Sequence, residues 1–185
     1  MQYDFPEQIY KKAETSVEEK KQLIPLVFWF HFLQEKARNE GLLVLEDYIE
    51  SSGEELLKIG IDQVISGVDP VNLERRLLTR LYTTDCSGID LLKRMIIIVG
   101  VLKIQAGDYE SPSHPSISSL LGAEIEDIME SEKEKTIGSL RKQLLEMDGY
   151  MEFEELNGLY DYQARRVLSS AFPEEVLALL RVGTR

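Results

Sequence analysis

The stretch that decides the fold is "LLKRMIIIVGVLKIQAG", Leu91–Gly107. Its centre, Met95–Val99, is a β-branched run of the kind that favours a strand. The apolar pattern continues on both sides, however, through Leu91 and Leu92 and through Leu102 and Ile104. Seventeen residues are too many for an ordinary strand and suit a buried helix. Asp90 is expected to cap that helix and Gly107 to end it. With the one strand candidate read as helix, the whole chain reads as all-α.

The flanking segments follow the same pattern. Upstream, Leu26, Phe30, Leu33 and Ala37 recur at helical spacing between Ser16 and Arg38, with Leu23, Val27 and Trp29 beside them. Ser16 and Glu19 form a capping-box signature. Pro25 removes a backbone donor and should kink this segment or start a new one. Gly41 interrupts, and "LLVLEDYIES" resumes. Gly53 should open "EELLKIGIDQVIS", with Leu56, Leu57, Ile59 and Ile61 turned inward. Asp69 is placed to cap the next helix, with Pro70 at its first position, ahead of "VNLERRLLTRLY". Thr83–Gly88, "TTDCSG", has turn chemistry.

Downstream, "DYESPSHPSISS" reads as a loop, and the segment from Ala123 as a strongly acidic helix. Two short helices, "DYQARRVLSSA" and "PEEVLALLR", close the chain. The expected architecture is a compact multi-helix domain over residues 1–108, a loop and short helix over 109–122, and an acidic helix with a small helical C-terminal subdomain over 123–185.

Composition bounds the function. The 185 residues are 43% hydrophobic, enough for one sizeable core or two small ones. Twenty-one basic against 33 acidic side chains leave a net charge of −12. Such a surface repels phosphate backbones and anionic lipid, so nucleic acid and direct membrane insertion are excluded as expectations, and a basic patch on another protein is favoured. The single cysteine, Cys86, permits no internal disulfide and fits a reducing cytoplasm. No apolar run approaches the length of about 20 residues that spans a bilayer, and "MQYDFPEQIYKK" lacks a signal-peptide pattern.

Catalytic machinery is not evident. His31 lies among Trp29, Phe30, Phe32 and Leu33 and reads as a packing residue. His114 sits between Pro112 and Pro115 in a loop. One cysteine and two separated histidines make no zinc site, and no phosphate-cradling glycine motif is present. Nothing basic neighbours Cys86 in sequence to activate it. The acids of "EDIMESEKEK" fall on several helix faces and read as a solvated surface. The expectation is a protein that is not an enzyme, with no catalytic residue, metal or cofactor.

Two segments nevertheless carry information by resemblance. Ala37, Arg38, Gly41, Leu42, Leu43, Leu45 and Glu46, followed by Gly67, Asp69 and Pro70, match Ala-Arg-x-x-Gly-Leu-Leu-x-Leu-Glu and Gly-x-Asp-Pro. These resemble the cytoplasmic loop of the MotA family, the stator of the bacterial flagellar motor. Gly100, Ile104, Gln105, Gly107 and Asp108 resemble the segment after that family's last membrane span. Residues 20–122 thus look like a stator without its membrane helices. Ion conduction in the family needs those helices, so the resemblance implies only the part that touches the rotor.

The tail, Phe153–Gly183, is similar to the torque domain of the rotor protein FliG at Phe153, Glu154, Leu156, Leu159, Asp161, Val167, Leu168, Leu177, Ala178 and Leu180. Tyr160 and Tyr162 depart from it, standing where that family has an acid and an arginine. The stator–rotor contact of these families is electrostatic. The resemblance therefore assigns protein-binding roles to Arg38 and Glu46 on the loop and to Asp161 and Arg166 on the tail. It implies a stator-like scaffold or adaptor in bacterial motility and chemotaxis, in the cytoplasm and peripheral to the flagellar base. FliG, MotA or both would be its partners, and the oligomeric state stays open. The alternatives are an accessory helical protein that kept the fold without the motor contact, and an enzyme on an unfamiliar helical fold.

Overall fold

The computed structural model describes residues 5–49, 54–107, 117–129 and 131. These contain seven α-helices: α1 (Glu7–Lys12), α2 (Val17–Lys21), α3 (Ile24–Glu40), α4 (Leu45–Ile49), α5 (Glu55–Ile65), α6 (Pro70–Thr83) and α7 (Gly88–Ala106). Two 3-10 turns, Leu42–Val44 and Ile117–Leu121, complete the set, and residues 123–129 are helical. There is no strand among the described residues, and the class is all-α.

The α7 helix is the axle of the fold. Thirteen of its 19 residues are buried, including the whole run Met95–Ile104. A helix that is apolar nearly all round must be surrounded, and α3, α5, α6 and the second 3-10 turn all pack on it. The β-branched run does not become a strand because helical neighbours cover it on several sides. A strand there would leave its backbone donors and acceptors without a sheet.

Close packing is set by Gly100. A Cβ built there would lie 2.3 Å from Cδ1 of Phe30, and Phe30 is itself fully buried. The missing side chain is what lets α3 and α7 approach. On α6 the buried residues are Leu73, Leu77 and Leu81, one per turn. Each contributes about 2 kcal/mol as an upper estimate. Ile117, Leu121, Ile125 and Met129 join the same core.

The end signals divide into those that hold and those that move. Ser16 and Glu19 form both bonds of the capping box on α2. Pro25 does start a new segment, lying at the beginning of α3. The Asp69 carboxylate accepts from the backbone N–H groups of Val71 and Asn72 at 3.1 and 3.2 Å, with Pro70 leading α6. Gly107 ends α7 in the left-handed conformation.

Asp90 does not cap α7. The helix begins a turn earlier, with Ser87 at the N-cap and Gly88 at φ 56° swinging the chain into register. Asp90 lies in the first turn, where its charge still favours the helix dipole. The α5 helix opens at Glu55 after Glu54, and Gly53 lies outside the described residues. Within α5, Leu56, Leu57 and Ile61 are buried and Ile59 is half-buried. The expected loop gives way by Ile117 to a 3-10 turn held against the core by Ile117 and Leu121.

Candidate protein-contact surface

Gly41 makes the corner on which the candidate surface is built. Its N–H closes α3 on the carbonyl of Ala37 at 3.0 Å, and its φ of 90° is one that residues with a Cβ rarely adopt. The chain then runs through a single 3-10 turn into α4. Leu45 and Ile49, four residues apart, are both buried and peg α4 to the core. Phe32 on α3 meets Tyr48 on α4 edge-to-face at 5.2 Å, and the Lys36 ammonium lies 5.8 Å from the Phe32 ring centre. The two arms are therefore held by packing on both sides of the corner.

A turn this short cannot bury two successive leucines while its flanking residues anchor the core. Leu43 is 70% exposed and Leu42 is 37% exposed. Arg38, in the last turn of α3, and Glu46, in the first turn of α4, are exposed on either side of them. Beyond Glu46 a groove of about 350 Å³ is lined by Glu46, Asp47, Ile49, Lys58 and Asp62. Three carboxylates against one ammonium make its rim acidic. The surface is a charged, partly apolar edge on a fixed scaffold.

The positions that carried the sequence resemblance separate by structural work. Leu45 is core, Gly41 turns the chain, Asp69 and Pro70 start α6, Gly100 admits Phe30, and Gly107 ends α7. The Gln105 side-chain amide donates to the carbonyl of Val68, tying the end of α7 to the turn before α6. Arg38, Leu42, Leu43 and Glu46 are exposed at the corner, and Asp108 lies outside the described residues. The structure thus places Arg38 and Glu46 on the two arms of one corner. Asp161 and Arg166 lie outside the described residues, as does His114.

Sequence reasoning missed several features. Leu42 and Leu43 were expected to resume a helix, and only the shortness of the turn after Gly41 signals that they stay outside. Asp62 and Lys58 reach the groove from α5, which no local spacing shows. Also missed is a buried ionic cluster. Glu54, 4% exposed, faces Lys93 Nζ at 3.6 Å and Arg94 Nη1 at 3.7 Å, and Lys93 is 5% exposed. Lys93 and Arg94 read in sequence as polar edges of an apolar run, whereas they clamp the start of α5 onto α7.

His31 is half-buried on α3. Burial pushes the Cys86 thiol above its ordinary range, and the charges of Arg94 and Lys12 only partly oppose this. Among the described residues no group of His, Cys, Asp or Glu is arranged to hold a metal ion. Among them, too, no helix is long and apolar enough to cross a membrane. Comparison with known proteins finds no matching family model, curated protein or solved structure.

Proposed function

We propose that this chain is a non-enzymatic contact protein of the bacterial flagellar motor, a stator-like adaptor whose working surface is the α3–α4 corner. The observation that carries the reading is exposure at one corner of the fold: Arg38, Leu42, Leu43 and Glu46, all positions of the stator-like pattern, are exposed where α3 gives way to α4.

The energetics suit a contact that forms and breaks. Exposed ion pairs contribute about 1 kcal/mol or less each. Covering Leu43 adds on the order of 1–2 kcal/mol. The leucines would supply affinity and the flanking charges orientation, with association quickened by opposite charge and slowed by salt. The partner is the torque domain of the rotor protein FliG, the stator MotA, or both, and the place of action is the cytoplasmic side of the flagellar base.

Calorimetric titration against the rotor torque domain, at low and moderate salt, tests this. Weak, salt-sensitive binding that drops on Arg38→Glu or Glu46→Lys is the expected result. Binding indifferent to both reversals, or none at low salt, removes the corner as a motor contact.

A further inference from the structure

The α6 helix presents a second surface, away from the corner. Its inner face is spent on Leu73, Leu77 and Leu81. On its outer face Val71 is 50% exposed and Tyr82 is 48% exposed, with Arg75 exposed and Leu78 half-buried between them. These four positions are spaced i, i+4, i+7 and i+11. On a helix that spacing makes one ridge about 17 Å long, or three turns. It is the seam that a second helix needs.

The ridge has a charge as well as a shape. Three arginines against one glutamate make α6 basic in a chain whose net charge is −12. Arg76 donates to the Gln63 side chain at 3.2 Å, and Arg80 pairs with Glu55 at 3.1 Å, so both are turned to the α5 flank. Arg75 lies in the ridge itself, with Val71 on one side of it and Leu78 and Tyr82 on the other. An anionic polymer or lipid surface would meet the repulsion of the rest of the molecule. A single helix covering only this ridge would not.

We propose that the α6 ridge of Val71, Arg75, Leu78 and Tyr82 docks an acidic amphipathic helix of a partner protein. Apolar residues of the partner, spaced three and four apart, would lie along Val71, Leu78 and Tyr82, and a carboxylate would meet Arg75. Together with the α3–α4 corner, this gives the protein two surfaces of unlike charge, which is what a bridging adaptor requires. The inference stands on α6 alone and does not depend on the corner's role.

The test uses the full chain and two stapled helical peptides of about five turns, alike in their leucine spacing, one with glutamates on the flanks and one with lysines. Amide shifts on titration with the acidic peptide should map to residues 71–82. Its affinity should fall at least tenfold with Arg75→Glu and with Tyr82→Ser, and the lysine peptide should bind at least tenfold more weakly. Both substitutions are at exposed positions, and an unchanged melting curve verifies that the variants are folded. Equal binding of the two peptides, shifts that map to the α3–α4 corner, or indifference to Arg75→Glu would overturn the proposal. So would concentration-dependent self-association abolished by Arg75→Glu, which would give the ridge to a second copy, or co-sedimentation with anionic phosphatidylglycerol vesicles abolished by the same change.

Discussion

Replacing Gly100 with alanine sets two effects of opposite sign against each other. In an exposed helix interior the change would stabilise by about 1 kcal/mol, because alanine is the better helix former. Here the new methyl would stand 2.3–2.5 Å from three atoms of the Phe30 ring. Real Cβ atoms do not approach so closely, and Phe30 is fully buried and has no open side to move into. Overpacking of this kind costs about 1–3 kcal/mol, and contacts this short put the cost at the upper end. The expected net effect is a loss of about 2 kcal/mol, seen as a fall in Tm of roughly 4–8 °C.

The matched control is Gly60→Ala on α5, where the nearest atoms are the Val101 methyls at 3.0 Å. Small methyl shifts can accommodate that contact, so its net change should be within about 1 kcal/mol of zero. Adding Phe30→Leu to Gly100→Ala should recover part of the loss, with a coupling of the kind that contacting residues show. Thermal and urea denaturation of these three variants and of Phe30→Leu alone decide the matter. A Gly100→Ala protein as stable as the parent would refute the packing of α3 on α7.

Three further predictions concern groups away from that seam. Glu54→Gln should destabilise by about 3 kcal/mol, because it removes the charge of the buried carboxylate that faces both Lys93 and Arg94; adding Lys93→Met should restore part of the loss, and urea midpoints measure both. Cys86 should react with iodoacetamide more slowly than an unperturbed thiol at pH 7.5, since burial holds its pKa up, and the midpoint of its rate profile against pH should lie on the alkaline side of that of the unperturbed thiol. Hydrogen bonds from the Thr15 side chain, and from the Ser16 side chain and backbone, hold the Glu19 carboxyl below its ordinary range. Its share of stability is therefore present above the unfolded carboxylate pKa and is lost as pH falls through the lower folded value. In Ser16→Ala the Glu19 carboxyl should titrate closer to the usual value by NMR.

What the sequence discloses and what it withholds follow from the range of the interactions. Helix ends built from neighbouring residues are legible: the Ser16–Glu19 box, the Asp69–Pro70 start and the Gly107 stop all involve groups within a few positions of one another. The start of α7 is less so, because a nearby aspartate looks like a cap while the backbone reversal at Gly88 sets the true beginning. The helical state of Met95–Val99 is readable from the length of its apolar pattern and not from its β-branched residues, whose local preference is overridden by burial.

Long-range pairings are not written locally. Glu54 lies far in sequence from Lys93 and Arg94, and nothing beside it signals burial. Gly100 stands out only as a glycine in an apolar helix, and the ring that requires it is on α3. For the candidate surface, the charges at Arg38 and Glu46 can be picked from the sequence. The exposure of Leu42 and Leu43 needs the geometry of the turn, and the groove needs α5 brought alongside α4.

The proposed motor contact at the α3–α4 corner is open to direct test. The most direct measurement is calorimetric titration of the full chain with the torque domain of FliG from the same organism, at low and moderate salt, for the parent, Arg38→Glu and Glu46→Lys. Binding that weakens with salt and drops by up to about tenfold in each variant is expected, the upper limit of what an exposed charge pair supplies when reversal adds repulsion. Binding that neither reversal changes, or no binding at either salt, would contradict it.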